Sequence, residues 1–231
     1  MIKLFIWIIT IIIVILLIYS ILPTLYYRIF KIHAPKHPNN KNSILLSFDD
    51  GPSKDYTNMF LDLLKKYNIQ ATFFIVAKEA DKNQDIIKRI VLEGHTLGLH
   101  SLEHKSALVK GYLYTKYDFD ESIKIIKKLG YNIKYYRPPW GEVNLFTLYY
   151  VKKYNLNLVL WNVMLGDWSR YTNIDKIINR LLLRVGNRSV ICLHDGRGSA
   201  GAPLMTITAL ETVIPELIKK GFNFKNINEF Y

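Results

Sequence analysis

At 231 residues the chain has room for one sizeable α/β domain and an appendage, and no second full domain is expected. The formal net charge of +12 suits contact with anionic surfaces such as lipid headgroups or acidic wall polymers. The lysines, however, are spread along helical faces, as in Lys65-Lys66, Lys127-Lys128 and Lys219-Lys220, without a recognition motif, so nucleic acid is not an expected partner. Cys192 is the only cysteine, which excludes an intrachain disulfide and is compatible with either side of a membrane.

The chain opens with an unbroken apolar run from Leu4 to Leu22, preceded only by Lys3 and followed by no charge until Arg28. A run near twenty residues spans the ~30 Å hydrocarbon layer as a helix. A cleaved signal peptide competes, but its apolar core usually runs ~7–15 residues and ends at small residues. Here Pro23-Thr24-Leu25-Tyr26-Tyr27 follows instead, which reads as an uncleaved anchor with its tyrosines at the interface and Arg28 and Lys31 in the headgroups. Charge counting sets Arg28, Lys31, Lys36 and Lys41 after the span against Lys3 before it, yet long domains translocate largely regardless of such charges, and topology stays open. His33 to Asn42, with Pro35 and Pro38, reads as a linker. The expected organisation is a transmembrane anchor over 1–27, a linker over 28–42 and a folded domain over 43–231, so that a chain beginning near Lys41 should fold alone.

Ile44, Leu45, Leu46 and Phe48 read as a short buried strand, stopped by Gly51-Pro52, which leaves Asp49 and Asp50 at its C-terminal tip, where α/β folds place their chemistry. Tyr56, Phe60, Leu63, Leu64 and Tyr67 recur at helical spacing, and Ala71 to Val76 is a buried strand. Ile86, Ile87, Ile90 and Val91 mark a helix ended by Gly94, and His95 to His100 is a strand interrupted by Gly98. A helix over Ser122 to Leu129 leads through Tyr135-Tyr136 into the rigid turn Arg137-Pro138-Pro139-Trp140-Gly141. Leu145 to Tyr154 is helical, and Leu158 to Val163 is a strand running into Gly166-Asp167-Trp168. Asn173 caps a helix ended at Gly186, Ser189 to His194 is a further strand, and the last helix, near Thr206 to Lys220, is expected to kink or break at Pro215. Strands alternating with helices imply a parallel sheet, open or closed as a barrel.

Two adjacent carboxylates in an apolar frame are costly without a compensating cation, and a divalent metal is the most economical one; solvated carboxylates on an Asp-Gly-Pro turn are the plainer alternative. His100-Ser101-Leu102-Glu103-His104 adds two histidines four apart, close enough to chelate one ion. The same string matches the His-x-x-Glu-His protease motif, but that motif needs a long helix, and the glycine-broken strand before it argues otherwise. Asp50 with two histidines leaves a coordination position for water.

From Ser43 to the C-terminus the chain resembles the polysaccharide deacetylase family, the NodB-homology or carbohydrate esterase family 4 domain, whose five motifs it presents in order. The resemblance implies a distorted (β/α) barrel of parallel strands and a metal-dependent deacetylase. Ser47-Phe48-Asp49-Asp50-Gly51-Pro52 resembles the first motif, implying Asp49 as general base and Asp50 as metal ligand. His100-Ser101-x-x-His104 supplies the other two ligands, and Arg137-Pro138-Pro139-Trp140-Gly141 resembles the third motif, with Arg137 holding Asp49. Asp167-Trp168 resembles the end of the fourth motif, whose Asp partners the acid, and His194 resembles the histidine of the fifth. The metal implied is zinc, with cobalt, nickel or manganese as substitutes. Pro138, Trp140, Gly141, Trp168 and Cys192 are implied at the substrate. Two positions depart from the pattern: Met164 stands where a further Asp is usual, and Cys192 where a Leu usually lines the acetyl-methyl pocket.

The chemistry of these residues is consistent with that role. An unperturbed Asp, pKa ~3.9, is too weak to deprotonate bulk water, but a metal ion lowers the pKa of water to about 7, and a carboxylate then suffices. His194 must be cationic to protonate a leaving amine, which a neighbouring Asp167 favours. Trp140, Trp161 and Trp168 offer faces for sugar stacking, with two of the three expected to be mainly core. The expected function is removal of N-acetyl groups from a glycan such as peptidoglycan or a chitin-like oligomer, tethered to the membrane with the domain outside. A non-catalytic glycan-binding module and an O-deacetylase of another polysaccharide are the rivals.

Overall fold

The computed structural model describes residues 1–31 and 42–230; most of the expected linker lies outside them. Among the described residues, helices alternate with β1 (Ser43–Asp49), β2 (Thr72–Ile75), β3 (Thr96–Leu99), β4 (Tyr135–Tyr136), β5 (Asn157–Leu158), β6 (Val163–Met164), β7 (Ser189–His194) and β8 (Asn223–Phe224). Neighbouring strands are parallel in the order β5-β4-β3-β2-β1-β7-β6, with β8 paired to the start of β1. β5 and β6 occupy opposite edges of this order, yet only residues 159–162 join them. Five Cα steps reach at most about 18 Å, so the two edges approach each other and the sheet curls into a barrel left open at one seam. The single strand expected over Leu158 to Val163 is therefore two. Val159 N donates to Tyr136 O at 2.9 Å on one edge, and Asn162 N donates to Val190 O at 3.2 Å on the other.

The period of two along a strand decides what each face carries. On β1, Ile44, Leu46 and Phe48 point outward into the main core, against Phe60 and Leu64 of the Thr57–Lys66 helix and Leu210 and Ile214 of the Ala202–Lys219 helix. Leu45 points inward, to a small apolar plug with Phe74, Val159, Val190 and Phe230. Ser47 and Asp49 share the inward face with Leu45, as Cys192 and His194 on β7 share it with Val190. The floor of the barrel is thus apolar and its C-terminal rim polar.

Two helices differ from expectation. The helix over Tyr112–Lys128 begins about ten residues before the expected start at Ser122. The Ala202–Lys219 helix, where a kink or break is expected, runs unbroken through Pro215. Proline withholds one backbone donor, and the carbonyl of Glu211 that this would leave unpaired accepts the Tyr67 hydroxyl at 3.3 Å.

A helix continuous from Ile2 to Phe30 is long and apolar enough to cross a membrane, by length and composition. Pro23 interrupts its hydrogen-bond ladder, and the turn before it, Leu17–Ile21, is wound as a π-helix. Its less exposed residues are Leu16, Tyr19, Ser20, Pro23, Thr24 and Tyr27, spaced three and one apart along one face. That face lies on the barrel domain, and Thr24 Oγ1 both donates to Val143 O at 2.9 Å and accepts from Val143 N at 3.0 Å.

Candidate active site

The barrel rim places the first-motif carboxylates and the last-motif histidine side by side, because Asp49 on β1 pairs in register with His194 on β7. Asp50 follows with φ +78°, a left-handed conformation unusual outside glycine. Gly51 is required here by close approach: a Cβ would stand 2.3 Å from Asp195 Oδ2.

Asp49 is buried against a fully buried Arg137, whose Nη1 donates to Asp49 Oδ1 at 2.7 Å and to Ser47 Oγ at 2.8 Å. The guanidinium also stacks over Phe74, 3.9 Å from its ring centre. An arginine enclosed in this way, with one carboxylate as its ion-pair partner, fixes the position of that carboxylate.

The ligand-bearing atoms of Asp50, His100 and His104 lie within 4.8 Å of one another. Asp50 Oδ1 is 2.9 Å from His104 Nε2 and 3.4 Å from His100 Nε2. His100 Nδ1 lies 2.7 Å from Arg137 O, and since a carbonyl only accepts, that nitrogen carries the proton and Nε2 turns its lone pair towards Asp50. Asp50 Oδ1 is buried without a hydrogen-bond donor. A carboxylate oxygen facing imidazole lone pairs leaves a cluster of acceptors that a cation would satisfy, so the donor set fits a divalent metal with N and O ligands. The loop carrying both histidines is held by Asp118, which accepts from Leu102 N at 3.1 Å.

His194 Nδ1 donates to Asp167 Oδ1 at 2.9 Å, while Asp167 Oδ2 accepts from His194 N at 3.0 Å and from Thr206 Oγ1 at 3.2 Å. Burial would lower the His194 pKa, but Asp167, with Asp49 and Asp50 behind it, raises it to about 9. The ring meets Trp168 edge to face at 4.7 Å between centroids.

These groups open on a cleft of about 420 Å³, within the range of small-molecule sites. Trp140, half exposed and with φ +53°, packs its ring 4.3 Å from His104 and lines the cleft with Trp161, Trp168 and Met164. Gly141, with φ +68°, borders an adjoining recess. Pro138 is buried in the turn and contributes no wall. Cys192 differs from expectation in the same way: it lies fully buried beneath the base, its thiol donating to Asp49 Oδ2 at 3.3 Å, and its register partner Met164 lines the cleft instead.

A family model described as polysaccharide deacetylase matches residues 36–159. The chain belongs to the polysaccharide deacetylase family. It is 34% identical over 200 residues to a peptidoglycan-N-acetylglucosamine deacetylase of Bacillus cereus, covering 86% of this chain and 72% of that one. The solved structure of the Bc1960 peptidoglycan N-acetylglucosamine deacetylase superposes with a TM-score of 0.78 at 33% identity, over 84% of this chain and 90% of that one. A family 4 acetyl xylan esterase from Clostridium thermocellum, solved with a cobalt ion, gives 0.74 at 29% identity, over 81% and 89%.

Two contributors to this deacetylase's site were not read from the sequence. Asp195, next to His194, is fully enclosed and accepts from Thr57 Oγ1 at 2.5 Å. Burial, with Asp50 and Asp49 adding to it, pushes its carboxyl up to about 7. Its adjacency to the histidine was the available signal. The other is Arg28, which the sequence places among headgroups but which lines the cleft.

Proposed function

We propose that this deacetylase removes N-acetyl groups from amino sugars of a glycan, with peptidoglycan or a chitin-like oligomer as substrate. The observation that carries this reading is the convergence on one cleft of the Asp49–Arg137 pair, the Asp50, His100 and His104 donors, and the His194–Asp167 pair. The names of the relatives support the substrate class.

Asp50, His100 and His104 would hold the divalent metal, zinc being the choice for a set of one carboxylate and two imidazoles. Bound there, the ion supplies Lewis acidity towards water and a carbonyl oxygen. Asp49 accepts the proton of the attacking water as its oxygen bonds to the acetyl carbon, and Arg137 keeps that carboxylate aimed. His194 enters protonated and gives its Nε2 proton to the amide nitrogen as the C–N bond breaks, releasing acetate and a free amine. Asp167 fixes the tautomer, occupying Nδ1 so that Nε2 faces the cleft. Trp140 and Trp168, both partly exposed at the rim, offer faces to the sugar rings.

The N-terminal helix is read as an anchor with the domain on the outer side, where peptidoglycan lies. Acetate release from acetylated peptidoglycan, chitooligomers and acetylxylan, measured side by side with and without chelator, tests the function. Chelator-sensitive release from the N-acetylated substrates is expected; release from acetylxylan alone would move the assignment to O-deacetylation, and release from none would favour a glycan-binding module.

A further inference from the structure

One wall of the catalytic cleft comes from outside the barrel. Arg28, on the N-terminal helix, donates from Nη2 to the carbonyl of Trp140, 112 residues away in sequence. It borders both the catalytic cleft and the adjoining recess of about 280 Å³, sharing Trp161 and Met164 between them. Polar contacts hold the helix in place. Thr24 is bonded twice to the main chain of Val143, and Tyr19 donates its hydroxyl to Lys110 O while its ring meets Phe146 edge to face at 5.7 Å. Serine and threonine facing a protein backbone are what a docked helix needs and what a lipid-facing helix does not.

Among the described residues the charge of Arg28 is uncompensated. A guanidinium has five N–H donors, of which Trp140 O takes one, and among the described residues no carboxylate pairs with it. The carboxylates of the cleft are engaged elsewhere, Asp49 with Arg137, Asp50 with the two histidines and Asp167 with His194. Arg197, whose Nη2 lies 3.4 Å from Glu103 O, adds a second guanidinium to the same cleft. A neutral sugar offers these donors only hydroxyls, whereas hydrogen bonds to an anion are roughly twice as strong and arginine suits planar carboxylate and phosphate geometry.

We propose that Arg28 is a substrate-binding residue which, with Arg197, recognises an acidic group, carboxylate or phosphate, carried by the glycan near the N-acetyl group being removed. This rests on the deacetylase reading above and deepens it. The full-length protein in detergent micelles or nanodiscs would be assayed by acetate release on three N-acetylated oligomers of equal length: neutral, carboxylate-bearing and phosphate-bearing. The wild type should favour one acidic form, and Arg28→Ala should lower the acidic-to-neutral ratio of kcat/KM about tenfold, about 1.4 kcal/mol, with Arg28→Lys keeping part of it. Which acidic form loses the preference identifies the anion. A wild type without acidic preference, or a ratio unchanged in Arg28→Ala, overturns the proposal. Tryptophan fluorescence titration with the same oligomers, using Trp140 and Trp161 as reporters, gives a second reading that needs no turnover. If no oligomer releases acetate, the deacetylase reading falls, while weaker binding of the acidic oligomer to Arg28→Ala still upholds the role of Arg28 and unchanged binding still refutes it.

Discussion

Asp49 and His194 stand opposite one another on adjacent parallel strands, paired in register at the ends of β1 and β7. Both face the barrel interior, one held by a buried arginine and the other by a buried aspartate. The site therefore sets a carboxylate and a protonated imidazole at one level of the sheet, as proton removal from water and proton delivery to an amine require.

Separating base from ligand is the first expectation. Asp49→Asn should retain stoichiometric metal and lose turnover by roughly 10²-fold or more, since an amide cannot take the proton. Asp50→Asn should instead release the metal. Metal content by mass spectrometry beside acetate release decides it, and near-normal activity of Asp49→Asn would refute the base.

The second concerns pH. His194 is raised from 6.5 to about 9, so it carries its proton through neutrality and loses it as pH climbs through the folded value. The alkaline limb of kcat/KM should follow this loss, displaced below about 9 in the loaded enzyme because a nearby cation disfavours imidazolium. Asp167→Asn, which removes the main raising charge, should move the limb to lower pH. The same linkage makes the contact fully stabilising below pH 6.5 and lost by about 9. An alkaline limb unmoved in Asp167→Asn would remove His194 from the profile.

The five motif strings were legible because each holds its chemistry within a few consecutive residues, so side-chain type alone marked the strand tips. What escaped the sequence depends on pairs remote along the chain. Thr57 with Asp195 is separated by 138 positions, and Arg28 with Trp140 by 112. Pro215 looked like a break because its remedy, the Tyr67 hydroxyl, lies in another helix. The apolar run 158–163 gave no sign that its two ends belong to opposite edges of the sheet. The start of the Tyr112–Lys128 helix was hidden because Tyr112, Tyr114, Thr115 and Tyr117 do not sort into a clear apolar face.

Removing Arg137 is expected to cost stability as well as activity. The pair with Asp49 is wholly buried, and leaving one partner of such a pair uncompensated typically costs about 3–5 kcal/mol. Denaturant unfolding of Arg137→Ala should show a loss of that size, and a loss below about 1 kcal/mol would mean that Asp49 finds another donor.

Cys192 should resist modification. It has no exposed surface, and burial, reinforced by Asp49, pushes its thiol well above the ordinary value, so it is neither accessible nor thiolate. A bulky alkylating reagent should leave it unlabelled in the folded protein and label it on unfolding, as intact-mass measurement would show. Cys192→Leu should cost about 1–3 kcal/mol through overpacking, since the added volume presses on the base instead of a substrate pocket. Rapid labelling of the folded protein would contradict the burial.

Arg137 serves the two halves of the centre with different parts of itself: its carbonyl accepts from His100 Nδ1 and its guanidinium donates to Asp49. A ligand and the base are thereby geared to a single residue just beyond the end of β4. Any breathing of the open seam that displaces this strand carries both along in concert and leaves their mutual spacing little changed. Truncating the side chain uncouples the gear on one side only, because the carbonyl stays. Arg137→Ala should accordingly keep its metal while its carboxylate drifts, a combination that metal content measured beside turnover would reveal.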